Sequence, residues 1–382
     1  MRLGVRLLLL TCVAAATGQA FLGQAATIQS NLPEARAFFG PSASLPRSTP
    51  EAQGVHSAGI LKFIEAADKT VDSIHSLMVV RHGKVIADAW WAPEAAEKPH
   101  ILWSLTKSFT GTAVGLAIDE GKLSLDDRLV DIFPNDVPED PSEHLEAMRV
   151  IDLLRMTAGH QEEMDMYELA QAPDLVKSFM SHPVPHKPGT HFRYNTPGSC
   201  VLAAIVQEVS GETVLDYLMP RLFAPLGIER PGWDSNSEGI NFGGFGLYLK
   251  TEDLAKFGQL YLQRGMWHGE QIVPASWVDM ATRKQTSNGS DPKSHWEQGY
   301  GFQFWMDLDG SYRGDGMYGQ FCIILPKLDA VVVITSKTKD MRSEIELVWG
   351  ELLPAFADGA LEEAPFVLAK LRAKTSMLEA KK

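Results

Sequence analysis

Two strand-turn-strand patterns stand near opposite ends of this chain, and a fold has to accommodate both. Leu77-Met78-Val79-Val80 and Val85-Ile86 flank the turn Arg81-His82-Gly83-Lys84. The β-rich runs Phe321 to Leu325 and Ala330 to Thr335 flank Pro326-Lys327-Leu328-Asp329. Both read as β-hairpins. Ile60, Leu61, Ile64 and Ala67 recur at helical spacing before the first, over Ala58 to Val71. Ile345, Val348, Trp349, Leu352, Leu353 and Phe356 mark one helix face after the second. Between them, residues 104 to about 280 carry few strand signals and several amphipathic stretches, among them Val201 to Val209, Thr213 to Leu222 and Leu254 to Gln263. The economical architecture is α+β: an antiparallel sheet built from both chain ends and flanked by helices, with a mostly helical insertion and a cleft between the two parts. The expected main domain runs over 52–357, its α/β part over 52–103 and 297–357 and its helical part over 104–296.

The first residues carry Arg2 and Arg6, an apolar run from Leu7 to Ala16, and small residues around Ala20 and Ala25. This reads as a secretory signal peptide over 1–25, which implies a secreted or periplasmic mature protein. Its apolar run is shorter than the roughly 20 residues that span a bilayer, so no stable membrane insertion is expected. Leu9-Leu10-Thr11-Cys12 is a weak match to a lipid-attachment site. Residues 26–50 read as an extended N-terminal arm and 358–382 as a charged tail, of which Glu362 to Lys382 looks dispensable. Removing the leader leaves 33 basic against 48 acidic residues. Excess negative charge opposes phosphate binding, which argues against a nucleic-acid partner. With 45% hydrophobic and 22% charged residues, the chain has ample material for a core. Cys200 and Cys322 are expected to be free and buried, because two cysteines make no disulfide framework.

Ser104-Leu105-Thr106-Lys107 opens the helical segment running through Val114, Leu116, Ala117 and Ile118, with Gly121 as a stop. A serine at a helix N-terminus lies near unsatisfied amides and the positive end of the dipole, which favours the charge that develops on an attacking oxygen. Lys107, one turn later, shares its face. The same spacing recurs in Ser290-Asp291-Pro292-Lys293 and Ser336-Lys337-Thr338-Lys339, but neither opens an apolar helix. The plain structural alternative makes Ser104 an N-cap and Lys107 a solvated helix lysine. His182 and His186 are spaced like metal ligands, yet prolines interrupt them and no His-Glu-x-x-His is present, so no metal and no cofactor are expected. Nor is there a Gly-x-Ser-x-Gly elbow. Trp90, Trp91, Phe302, Phe304 and Trp305 are candidates for an apolar cleft, with core the expected role for most.

The surrounding motifs resemble the serine β-lactamase-like family. They are, in order, Ser76 to Lys84, Trp103 to Gly111, Glu120 to Asp127, Ile151 to Gly159, Phe192-Arg193-Tyr194-Asn195-Thr196, and Leu254 to Gly258. That family spans class C β-lactamases, penicillin-binding D-Ala carboxypeptidases, esterases and 6-aminohexanoate-dimer hydrolases. The resemblance implies that Ser104 is an acylated nucleophile, Lys107 its adjacent base, and Tyr194 a second proton shuttle.

Two departures bear on the substrate. The usual Tyr-x-Asn is here Tyr194-Asn195-Thr196, which moves the amide to the middle position, and no Lys-Thr-Gly precedes Phe321. Gly316-Met317-Tyr318-Gly319-Gln320 instead looks like the Gly-x-x-Gly-Gln segment of 6-aminohexanoate-dimer hydrolase-like members. By that resemblance the Met317 and Ser104 amides form an oxyanion hole, and Asn195, Gly316, Tyr318 and Gly319 contact substrate. A plain hairpin turn is the alternative. The expected function is hydrolysis of a small ester or amide through a Ser104 acyl-enzyme. A β-lactamase or D-Ala carboxypeptidase, and a catalytically silent ligand-binding protein, are the alternatives.

Overall fold

Strands that are apolar at every position must bury both faces, and both predicted hairpins have that pattern. The computed structural model, which describes residues 44–162, 172 and 174–381, places them side by side in one sheet. β1 (Ile74–Arg81) pairs with β2 (Lys84–Trp90), β10 (Gln320–Leu325) pairs with β11 (Ala330–Ser336), and β1 joins β11, with Met78 opposite Val333. Further strands β9 (Tyr312–Gly316) and β8 (Trp305–Met306) complete the antiparallel order β2-β1-β11-β10-β9-β8.

Alternation along each strand divides the core in two. Leu77, Val79, Phe321, Ile323, Val332 and Ile334 face helix α1 (Ser57–Thr70) and the C-terminal helices through Ile60, Phe63, Ile64, Ile345 and Val348. Met78, Val80, Cys322, Ile324, Val331 and Val333 face the helical part, where Leu254, Ala255 and Phe257 of the helix Thr251–Leu262 meet them. Cys200 and Cys322 are buried and free, as expected.

At the centre of the helical part runs α2 (Thr106–Asp119), buried at every position from Thr106 to Ala117. Its polar side chains are bonded inside: Ser108 to Gln303 O at 2.8 Å, Thr110 to Gly243 O at 2.8 Å, and Thr112 with the Tyr261 hydroxyl at 2.7 Å. Gly115 leaves room for Trp277, whose ring would lie 2.3 Å from any Cβ there. Two short sheets also lie here: β3 (His100–Ile101), β5 (Leu247–Leu249) and β4 (Gly232–Trp233) form one, and β6 (Met266–Trp267) pairs β7 (Glu270–Gln271). Strands of two or three residues are too short to show alternation in sequence. The helix expected over Thr213 to Leu222 is α-helical over Val214–Leu218 and widens into a π turn over Met219–Phe223, which contains Pro220.

The chain ends correct one expectation. The tail is folded against the domain: Pro365–Thr375 is a helix packed on α1, Leu371 and Leu378 are buried with it, and Lys374 bonds Asp68 at 2.5 Å. Of the expected N-terminal arm, residues 44–50 run beside β2, where Arg47 bonds Glu252 at 2.7 Å and Ser48 N bonds Val85 O at 3.0 Å. The leader, Cys12 and residues 26–43 lie outside the described residues.

The pairing of β1 with β11 is irregular between Ile74 and Ser76, and the residue between them, His75, meets β3. His75 Nδ1 lies 2.7 Å from His100 Nε2, His100 Nδ1 donates to Ile101 O at 2.9 Å, and Ser73 Oγ lies 3.1 Å from His75 Nε2. Since Ile101 O only accepts, the chain of bonds is complete with both imidazoles neutral. Burial, with the neighbouring His100, lowers the His75 pKa to about 4, and burial lowers that of His100 as well.

Two outcomes follow. Gly115→Val forces a side chain into the Trp277 ring and is expected to cost about 1–3 kcal/mol, read as a lower midpoint in chemical unfolding. The depressed His75 pKa makes its contribution to stability fully present above pH 6.5 and lost as pH falls toward 4. His75→Gln should therefore flatten the decline of Tm between pH 7 and pH 4, and an unchanged slope would refute the coupling.

Candidate active site

The chain leaves β3 and anchors Leu102 N on Leu247 O at 2.8 Å before it turns into α2. Trp103 makes that turn with φ 48°, in the left-handed region that costs a bulky residue about 1–3 kcal/mol. A 3₁₀ turn over Trp103–Leu105 then leads into the helix, so Ser104 sits in the first helical turn with its side chain half-buried. It makes no capping hydrogen bond, which removes the reading of Ser104 as an N-cap.

Lys107 is 1% exposed, which removes the reading of it as a solvated lysine. Its Nζ donates to Ser104 Oγ at 3.0 Å, Thr196 Oγ1 at 3.2 Å and Gly244 O at 2.8 Å. Gly244 O can only accept, whereas the two hydroxyls can accept or donate, so these contacts also suit a neutral amine that donates to Gly244 O and Thr196 Oγ1 and accepts from the Ser104 hydroxyl. Tyr194 closes the group, its ring centroid 4.9 Å from Lys107 Nζ, and it stacks on Trp305 at 5.3 Å. The structure thus brings Ser104, Lys107 and Tyr194 together. Of the aromatic residues considered for the cleft, Trp91, Phe302 and Phe304 are core, while Trp305 is half-buried beside Tyr194.

Asn195 departs from its expected role as a substrate contact. It is the N-cap of the helix Thr196–Ser210: its Oδ1 accepts from Gly198 N at 2.8 Å, and its Nδ2 lies 3.3 Å from His160 Nδ1. Burial lowers the His160 pKa to about 4 and keeps that ring neutral. The amide thereby caps the first turn of the helix that carries Thr196. Thr196 and Gly244 were not singled out from sequence. The signal for Gly244 is the run Gly243-Gly244-Phe245-Gly246, because a Cβ at Gly244 would stand 2.9 Å from Thr196 O and one at Gly243 2.2 Å from Ser199 O.

The turn Gly316 to Gln320 lies against the nucleophile segment. A Cβ at Gly316 would come within 2.1 Å of Leu102 O, and the Tyr318 ring meets Trp103 edge-on at 5.6 Å. Gly319 and Tyr318 both adopt positive φ, 88° and 67°. Gln320 Nε2 holds Met317 O at 3.0 Å, and the Met317 side chain is 41% exposed. A hydroxyl, a buried amine, a phenol and a turn of backbone amides meeting at one cleft can remove a proton from the hydroxyl and stabilise an oxyanion. Among the described residues no group of three or more His, Cys, Asp or Glu is arranged to hold a metal ion. His186 stacks on His191 at 4.1 Å, and His182 Nδ1 bonds Ser178 O at 2.9 Å.

Known proteins share this fold and sequence pattern. A 6-aminohexanoate-dimer hydrolase from Paenarthrobacter ureafaciens is 25% identical over 289 residues, 69% of this chain and 73% of its own length. A Bacillus anthracis protein assigned to the 6-aminohexanoate-dimer hydrolases superposes with TM-score 0.66 at 20% identity, covering 88% of this chain and 89% of its own. EstCE1, a hydrolase with promiscuous acyltransferase activity, superposes with TM-score 0.62 at 17% identity, covering 77% and 99%. These structural likenesses establish the β-lactamase and transpeptidase-like fold. The model of the Beta-lactamase family matches residues 68–350, most of the chain, and the protein therefore belongs to that family of hydrolases.

Proposed function

We propose that this protein hydrolyses a small ester or amide through an acyl-enzyme on Ser104. The observation that carries the reading is the 3.0 Å bond between the buried Lys107 amine and the half-buried Ser104 hydroxyl. Ser104 Oγ attacks the substrate carbonyl as Lys107, in its neutral form, takes the hydroxyl proton. The amides of Ser104 and Met317 receive the resulting oxyanion. Collapse expels the alcohol or amine, which takes a proton relayed through Tyr194. Water then attacks the acyl-enzyme by the same route and releases the acid. Gly316, Tyr318 and Gly319 form the wall along which the acyl group lies, and a leader over residues 1–25 makes export to a periplasm or beyond the companion proposal. Among the described residues no helix is long and apolar enough to cross a membrane.

Strand β9 supports an ester or simple amide over a β-lactam. Its two charged residues, Arg313 and Asp315, are buried away from the cleft: Arg313 is bonded to Asp307, to Asp315 and to His295 O. No cation from this strand is thereby available to a substrate carboxylate.

A fluorophosphonate probe followed by mass spectrometry should place its adduct on Ser104, with both adduct and p-nitrophenyl acetate turnover lost in Ser104→Ala. An adduct elsewhere, or turnover retained in the variant, would overturn the assignment. Lys107→Ala should lower kcat/KM by roughly 10²–10⁴, the range of a lost proton-transfer group. Nitrocefin should be hydrolysed more slowly than p-nitrophenyl acetate, and the reverse order would favour a β-lactamase.

A further inference from the structure

The Gly316 to Gln320 turn rests on a floor that takes no part in the chemistry above. Thr338 N donates to Tyr318 O at 3.1 Å, and Ser336 Oγ lies 2.5 Å from the same oxygen and 3.1 Å from Gly319 O. Beneath Ser336 lies Glu344, on the helix Met341–Leu347 that follows β11, with its Oε2 3.2 Å from Ser336 Oγ. Glu344 is 0% exposed, and its Oε1 has no hydrogen-bond partner among the described residues. The contact with the turn is close: a Cβ at Gly319 would stand 1.9 Å from Glu344 Oε2 and 2.1 Å from Ser336 Oγ. Only glycine fits between the turn and its floor.

Counting protons gives the direction of these bonds. The Ser336 hydroxyl has one proton, and Tyr318 O, the nearest oxygen, can only accept it. The contact between Ser336 Oγ and Glu344 Oε2 then needs a second proton, which a protonated carboxyl supplies. The surroundings agree. Burial first, and then Asp315 of β9, Asp72 before β1 and Asp340 at the start of the same helix, raise the Glu344 pKa well above the carboxylate range, against the lowering effect of Ser336.

We propose that Glu344 is a positioning residue: a protonated carboxyl that donates to Ser336, which in turn pins the Tyr318 carbonyl and holds the Met317 amide toward Ser104. It touches no reacting atom. This rests on the reading of the turn as the oxyanion site.

Kinetics on p-nitrophenyl acetate with the full chain test it, alongside thermal unfolding to fix a temperature at which each variant is folded. Glu344→Leu keeps the volume and loses the donor. It should lower kcat by about 10–100-fold, up to the lower range for a lost oxyanion donor, with KM within about twofold. Glu344→Gln keeps a neutral donor and should restore kcat to within about threefold of the original. Ser336→Ala should show the same kcat loss, and it serves if Glu344→Leu does not fold. A folded Glu344→Leu or Ser336→Ala with unchanged kcat, or Glu344→Gln as impaired as Glu344→Leu, overturns the proposal. Ser104→Ala in the same series separates the two levels. Persistent probe labelling there refutes the catalytic reading itself, whereas lost labelling with an indifferent Glu344→Leu refutes the positioning role alone.

Discussion

Burial of the Lys107 amine sets terms that the helical part of the molecule has to meet. A polar group taken out of water without partners costs several kcal/mol, so three oxygens must converge on Nζ. They come from distant stretches of chain: Ser104 in the turn before α2, Thr196 at the start of its helix, and the Gly244 carbonyl in a glycine-rich loop. Each needs its own support. Asn195 caps the helix that presents Thr196, and glycine at 243 and 244 lets the loop backbone touch that helix. Thr110 adds a bond from α2 to Gly243 O. A defect in any of these reaches the amine, and through it the hydroxyl of Ser104.

The sheet supplies the opposite wall by alternation alone. On β9, the glycines at 314 and 316 face the nucleophile segment, where a side chain would strike Leu105 or Leu102 O. Arg313 and Asp315 point to the other face, into a buried cluster with Asp307, His295 and Trp296. Residues i and i+2 share a face, so the same strand is smooth toward the cleft and ionic behind it. The arrangement gives close backbone approach on one side and anchors the strand on the other, and it places no strand cation beside substrate.

Much of this was legible beforehand, for identifiable reasons. Long periodic segments such as α1 and the two hairpins announce themselves through burial that repeats every 3.6 or 2 residues. Ser104 and Lys107 stood out as an i, i+3 pair opening an apolar helix, and it was the resemblance of the ordered motifs around them to the serine β-lactamase-like family that implied their roles. Where the period was too short to register, as in the two-residue strands β3, β4, β6 and β7, nothing marked the element. The C-terminal helix was misjudged because its sequence is charged and only Leu371 is buried within it. Asn195 was not legible as a cap because that placement depends on a helix start and on His160, neither visible from the triplet Tyr194-Asn195-Thr196.

The sequence by itself determined the long periodic elements, that both chain ends supply one antiparallel sheet, and which hydroxyl and amine share a helical turn. These follow from local periodicity and spacing, which are properties of neighbouring residues. Tertiary structure alone decided that Lys107 is buried and that Asn195 is a cap. It also turned the third Ser-x-x-Lys, at Ser336, into a floor for the turn above Glu344. Burial and hydrogen-bond direction depend on groups far apart in the sequence, such as Thr196 and Lys107, 89 positions apart, or Glu344 and Gly319 on separate elements, and no local pattern encodes them.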